Sequence, residues 1–440
     1  MISQTPKYNL MVVLKETGLK ADVLRVWERR YELPSPQRTA GGHRLYSEYD
    51  IAIVKWLKER QAEGLSISRA VKLWKDLVAS GQDPLEGVSF AGNSPPMPVI
   101  RASIELLRQN WLESCLAFDT LQAEATLNQA FALYPVEKVC DGLLRQGLSS
   151  IGEKWYLGEA SPQQEHFASA LAIRRLETLI TATPQPTRTQ TVLVGCPLGE
   201  THTFPALLLS LYLRRMGLKI VYLGADIPIE HMDVAVAAIH PDLVVLVAQQ
   251  LVTAASLASM ALALRERGIP LAYGGLIFNS LPELRKRIAA TFLGERLEEA
   301  VNKIEQLILA PPFFPTALEQ DKSYWALARL FRQARPLIEH ALFEKLQKDG
   351  LQIEAIQEVN SFFGSKLAAA LDLGDLALME SELDWVKGLL TSHQITVDEL
   401  LPYLTDYGHC IRAELGQEGA LITDWLNQYV SRNKLSFVRK

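Results

Sequence analysis

Four short apolar runs separated by helical stretches constrain the middle of this chain more than any other feature. Residues 191–197 read TVLVGCP, an apolar run ending on Gly and Pro as a buried strand does. A helical stretch follows over Pro205–Met216, then a run at Lys219–Leu223, a helical stretch at Ile229–Ala238, a run at Leu243–Ala248, a helical stretch at Ala254–Arg267 and a run at Leu271–Tyr273. Strands that alternate with helices predict a doubly wound parallel sheet, because each helix returns the chain to the same edge. Ligands bind such sheets at the carboxyl ends of the strands.

Composition and breaks divide the rest. The 440 residues exceed what one core organises and fit two to four domains. Residues 1–80 are expected to form a head. Residues 81–99 (GQDPLEGVSFAGNSPPMPV) read as a Pro/Gly-rich linker, and residues 100–182 as a helical bundle. Residues 190–310 carry the sheet. Beyond the stiff PPFFPT joint, residues 317–440 read as about five helices without a strand. The fold class is thus multidomain, α and α/β. Formal charge is −5 overall, but residues 1–80 hold fourteen Lys and Arg against nine Asp and Glu. A basic head on an acidic body directs a polyanion to the head. Cys115, Cys140, Cys196 and Cys410 stand far apart with no CxxC pair, which argues against a disulfide framework or structural zinc. No apolar run reaches the roughly 18 residues of a membrane span, and no secretory leader pattern opens the chain. A cytoplasmic protein with no membrane partner is expected.

The head carries helix-turn-helix spacing. A first helix around Val12–Lys15 and a second over Lys20–Tyr31 flank Thr17-Gly18-Leu19. PSPQRTAGGHRLYS then stops the helix and reverses the chain at Gly41-Gly42. A basic hairpin beside a two-helix unit is a winged helix-turn-helix, suited to phosphate contacts beside a helix in the major groove of double-stranded DNA. The run LRVWERRYELPSPQRTAGGHRLYSEYDI resembles the DNA-binding head of MerR-type transcriptional regulators over residues 8 to about 77. That resemblance implies DNA contacts from Arg25, Arg30, Tyr31, Arg38, His43, Arg44 and Tyr46, and dimers on near-palindromic sites. Trp27 reads as a core brace.

In Gly195-Cys196-Pro197-Leu198-Gly199-Glu200-Thr201-His202 the first strand ends and a loop begins. His202 there is free to ligate a metal. Glu200, two residues earlier, can accept the hydrogen of the other ring nitrogen. Upstream, Trp155 precedes Glu165-His166 in WYLGEASPQQEH, with a loop expected over Trp155–Ser161 and a helix from near Pro162. Together these motifs resemble the cobalamin-binding module of methionine synthase and its relatives, a helical cap followed by a Rossmann-like domain. Glu200-Thr201-His202 stands for its Asp-x-His, and Pro205 for its Gly. Ala248-Gln249-Gln250-Leu251 stands where a Ser-x-Leu is usual, and Tyr273-Gly274-Gly275 matches its later glycine pair.

Head and module together resemble the MerR-type cobalamin photoreceptor repressors of the CarH and LitR kind. The resemblance implies a homo-oligomer, dimer or tetramer, controlled by adenosylcobalamin and by light. His202 would be the lower axial cobalt ligand, and Gly274 and Gly275 would lie beside the cofactor's tail. Trp155 would shield the adenosyl group, with Glu165 and His166 on the same upper face. Tyr156 stands where the best-known pattern has a second histidine. The alternative is a regulator with this fold that takes a bilin or only a protein partner. An enzymatic role is not expected.

Overall fold

The computed structural model describes residues 3–38, 42, 44–62, 65–79, 84–85, 102–318, 321–348, 353–392 and 400–437. It forms two compact units, Met1–Arg101 and Ala102–Lys440.

In the first unit, α1 (Leu10–Thr17) starts at Asn9, whose side chain accepts from the Val12 N–H, and ends at Gly18 with φ +63°. α2 (Ala21–Tyr31) follows directly. Strands β1 (Gln37–Arg38) and β2 (Arg44–Leu45) pair antiparallel as the wing. Helices α3 (Glu48–Ala62) and α4 (Ile67–Ala79) complete it. Val13, Leu24, Trp27, Trp56, Leu57 and Trp74 make the core. Most of the linker expected at residues 81–99 lies outside the described residues.

Tyr46 was expected on the DNA face and is instead a core residue with 0% exposure, so it cannot touch a duplex. Its hydroxyl donates to Glu28, which also accepts from Arg44 Nε at 2.8 Å. Burial, then the bond to Glu28, raises the phenol's pKa far above the ordinary value, so it stays a donor. Glu28 thereby pins the wing to α2. Glu28→Ala is expected to lower the head's unfolding free energy by about 1–3 kcal/mol, because it orphans a buried hydroxyl. Arg25→Ala, at an exposed position, should change it by less than about 0.5 kcal/mol. Urea denaturation of both variants checks this.

The second unit opens with α5 (Ile104–Leu116), α6 (Thr120–Leu133) and α7 (Val136–Val139). A wider turn over Cys140–Arg145 leads into α8 (Gln146–Tyr156), and α9 (Pro162–Ala182) follows. Trp155 therefore sits in the last turn of a helix rather than in the expected loop. α9 begins where Ser161 and Gln164 cap each other and Pro162 fills a position that needs no N–H.

Five parallel strands follow, β3 (Thr191–Pro197), β4 (Lys219–Ile227), β5 (Leu243–Val247), β6 (Leu271–Gly274) and β7 (Thr291–Phe292), in the order β4-β3-β5-β6-β7. Every residue of β3 and β5 is buried, which explains their unbroken apolar runs. The intervening helices are α10 (Phe204–Arg215), α11 (Met232–Ile239), α12 (Leu251–Glu266) and α13 (Leu276–Ser280), with α14 (Leu297–Leu309) after β7. α10 is apolar on two sides. Ala206, Leu209 and Leu213 face the sheet, while Leu207, Leu208 and Leu211 seat the α5–α9 cap.

Residues 317–440 were expected as a domain of their own, and they are not one. Helices α15 (Lys322–Lys348), α16 (Ile353–Asp372), α17 (Leu378–Ser392), α18 (Leu400–Leu415) and α19 (Ala420–Phe437) share one continuous core with the sheet. Phe331, Leu371 and Tyr407 belong to the same cluster as Leu246, Leu257 and Tyr273. The physical reason is α12. It packs against β3 and β6 and also against α16, and its buried Thr253, Ala255, Leu257 and Met260 spread round more than half of the helix. Among the described residues, no helix is long and apolar enough to cross a membrane.

Candidate functional site

The strand order reverses at β3, whose neighbours are β4 on one side and β5 on the other. The loops after β3 and β5 therefore part and leave a crevice at the carboxyl edge. Glu200 lies at the base of that crevice with 0% exposure. Its Oε1 accepts from the His202 N–H at 2.9 Å and faces His202 Nδ1 at 2.7 Å. Its Oε2 accepts from the Gln249 N–H at 2.6 Å and from the Thr253 hydroxyl at 2.7 Å. One carboxylate thus ties the β3 loop to the β5 loop. Burial opposes its ionisation, but the donors from His202, Gln249 and Thr253 prevail and hold its pKa below the ordinary value.

An ionised Glu200 only accepts, so Nδ1 of His202 carries a hydrogen, and in the neutral ring Nε2 keeps its lone pair. The His202 side chain is 53% exposed. Its hydrogen bond to Glu200 raises its pKa against the opposing effect of burial. Glu200 is too deep to touch a ligand and acts through His202. The charge of Glu165, on the first turn of α9, also raises the His202 pKa. Glu165 accepts from Ser169 at 2.7 Å and lies 3.2 Å from Nδ1 of the exposed His166.

The glycine pair divides by role. Gly275 has φ +130°, and a Cβ there would lie 1.8 Å from the Ala248 carbonyl oxygen, so backbone approach alone demands glycine. Gly274 has open space where a Cβ would be. Pro205 lies in the first turn of α10 and costs no hydrogen bond. Cys115, Cys140 and Cys196 are buried, and burial pushes each thiol up to about 12, which leaves them unreactive.

Residues to which the sequence assigns no role complete the picture. Gln249 accepts from the Leu276 N–H through Oε1 at 3.1 Å, fastening the β6 loop to the crevice. Thr253 and Gln250 cap each other at the start of α12. Trp155 and Tyr156 pack against Trp385 of α17, with ring centres at 6.2 and 5.7 Å. No local pattern marks Gln249 or Trp385; the Gln-x-x-Thr spacing at 250–253 is a readable cap signal.

The family model described as MerR HTH family regulatory protein matches residues 8–77, and the B12 binding domain model matches residues 107–180. The HTH-type transcriptional repressor CarH of Myxococcus xanthus is 30% identical over 292 residues, covering 66% of this chain and 95% of CarH. CarA, an HTH-type transcriptional repressor of the same organism, is 30% identical over 239 residues, covering 54% of this chain and 75% of CarA. This chain belongs to the CarH/CarA family. It is a MerR-type transcriptional regulator with a Rossmann-like B12-binding domain. The HTH-type transcriptional regulator MlrA of Escherichia coli strain K12 is 37% identical over 67 residues, which are 14% of this chain and 28% of MlrA.

As a CarH/CarA family member the chain binds DNA through its head. Arg25, Arg30 and Arg38 are exposed there and Tyr31 is half-buried under Arg30, whose guanidinium lies 5.5 Å from the ring centre. Arg44 is half-buried against Glu28. His43 lies outside the described residues.

The B12-binding domain supports a cobalamin as cofactor, and the residues fit one. His202 offers an oriented imidazole Nε2 above a carboxylate, the donor arrangement of a single axial metal ligand. Among the described residues no group of three or more His, Cys, Asp and Glu is placed to hold a metal ion. A cobalt carried by its own macrocycle asks the protein for one nitrogen. The open flank of Gly274 leaves the backbone approachable at the crevice mouth.

Proposed function

We propose that this chain is a light-responsive transcriptional regulator whose effector is adenosylcobalamin and whose DNA affinity follows its oligomeric state. It acts as a dimer or tetramer in the cytoplasm, and it is not an enzyme. The observation that carries this reading is the Glu200–His202 pair at the sheet's switch point, in a chain that also carries the MerR-type head.

When bound, adenosylcobalamin supplies a cobalt–carbon bond that visible light breaks. His202 would hold the cobalt through Nε2, with Glu200 keeping the ring in the required tautomer. Gly274 leaves the backbone open to the tail, while Gly275 holds the loop that presents it. Trp155 would shield the adenosyl group, with Glu165 and His166 beside it. A change of upper group would alter what Trp155 meets, and with it the surface that the cap offers to other subunits. Several heads on one assembly engage several half-sites at once, so dissociation lowers DNA affinity with Arg25, Arg30 and Arg38 unchanged. The coupling requires the effector to bind one assembly state more tightly than the other.

The test adds adenosylcobalamin to the purified full chain in the dark, removes the excess by gel filtration, and records spectrum and elution volume before and after green light. The expected result is a retained cobalt spectrum and a light-dependent change in elution volume. Loss of the cofactor during filtration overturns the cobalamin reading. Retention with an unchanged elution volume overturns the oligomeric switch.

A further inference from the structure

The C-terminal helices stand across the mouth of the crevice. The ring of Phe362 on α16 stacks with Trp385 on α17 at 6.2 Å and 23°, and Trp385 in turn packs on Trp155 and Tyr156 of the cap. The Tyr156 hydroxyl donates to the Trp385 carbonyl oxygen at 3.3 Å. α17 approaches so closely that a Cβ at Gly388 would lie 1.7 Å from the Tyr156 oxygen. Independently, a cavity of about 540 Å³ opens between the sheet edge and α16. Gly199, Gln250 and Thr253 line one side, and Phe362 and Lys366 line the other. Lys366 is buried, paired with Glu382 at 2.6 Å, and sits 5.0 Å from the centre of the Phe362 ring. The wall that α16 and α17 present to the crevice is therefore aromatic and internally neutralised.

We propose that Trp385 is a specificity-determining residue of the corrinoid site, competing with a bulky upper axial group for Trp155 and Tyr156. The inference rests on the cobalamin reading above. If Trp155 shields the adenosyl group, a purine-bearing upper ligand would need the face of the cap that Trp385 contacts. A hydroxide or water ligand extends nowhere near it. Docking of α17 thus opposes adenosylcobalamin and leaves hydroxocobalamin unopposed. By linkage, the bulky form loosens α17, which makes the C-terminal helices the element that reports the state of the upper face.

The experiment titrates the full chain in the dark with adenosylcobalamin and with hydroxocobalamin, following absorbance, for wild type, Trp385→Ala and Gly388→Ala. Trp385 is 39% exposed, so its truncation leaves the fold intact. Gly388→Ala perturbs the same contact from another residue. Each variant should bind adenosylcobalamin about tenfold more tightly, as expected for loss of two aromatic contacts, with hydroxocobalamin affinity within about twofold of wild type. Hydrogen exchange of α17 in the wild type should quicken with adenosylcobalamin and not with hydroxocobalamin. Weaker or unchanged adenosylcobalamin binding by Trp385→Ala, while wild type binds both cobalamins, overturns this inference alone. A wild type that binds neither cobalamin overturns the cofactor reading and this inference together.

Discussion

Glu200→Ala is expected to destabilise the Ala102–Lys440 unit by about 3 kcal/mol, whereas His202→Ala leaves its stability within about 1 kcal/mol. The asymmetry follows from where the donors point. Removing the carboxylate strands the N–H groups of Gln249 and His202 at the base of the crevice, each costing about 1–3 kcal/mol if left unsatisfied. Thr253 escapes, since its hydroxyl can turn to the Gln250 carbonyl, already 3.0 Å away. The carboxylate's own desolvation is relieved, so the net falls below the sum. Truncating the half-exposed His202 ring leaves Glu200 with Gln249, Thr253 and the residue-202 N–H. The two variants should converge only in the cobalt spectrum. His202→Ala removes the lower ligand outright, and Glu200→Ala frees the ring to turn. Urea denaturation and absorbance of the cobalamin-loaded protein read the two effects separately. An unchanged cobalt spectrum in His202→Ala would remove His202 from the axial position.

What was legible in the sequence is what the chain encodes locally. Glu200 and His202 stand two residues apart in one loop, and Gly18, Pro34, Pro36 and Gly42 punctuate the head within a few residues of what they shape. The strand–helix alternation survives because β3 and β5 are buried on both faces. Long-range partners leave no local mark. Gln249 and Thr253 reach Glu200 across 49 and 53 residues, and Tyr156 reaches Trp385 across 229. Tyr46 was misjudged for the same reason, since Glu28, which draws it inward, lies 18 residues earlier. β7 has only two residues, too few for any periodicity to show. Trp325, Phe362 and Trp385 are large aromatics on three of the C-terminal helices, yet they are 62%, 38% and 39% exposed. Spacing says that residues share a face, and it does not say what that face meets.

Gly275→Ala is expected to cost more than about 4 kcal/mol and to prevent accumulation of folded protein, while the adjacent Gly274→Ala folds normally. At Gly275 the backbone has φ +130° and ψ 161°, a region essentially restricted to glycine. A methyl there would meet the oxygen, carbonyl carbon and nitrogen of Ala248 at 1.8, 2.7 and 3.0 Å. These are backbone atoms at the end of β5 and cannot turn aside like a side chain. Relief would require parting β5 from β6, where the Ala248 N–H donates to the Gly274 carbonyl at 3.1 Å. Gly274 has no positive φ and nothing within contact of its added carbon, so alanine there should hold stability within about 0.5 kcal/mol. Its methyl would instead project at the crevice mouth and meet whatever packs against the strand end. If the cobalamin tail lies there, Gly274→Ala weakens adenosylcobalamin binding about tenfold or more, the consequence of about 1–3 kcal/mol of overpacking. Urea denaturation paired with an absorbance titration separates the two glycines. Unchanged cobalamin affinity in Gly274→Ala would leave that residue with no part in the site, and the pair would then be explained by the approach of the Gly275 loop to Ala248 alone.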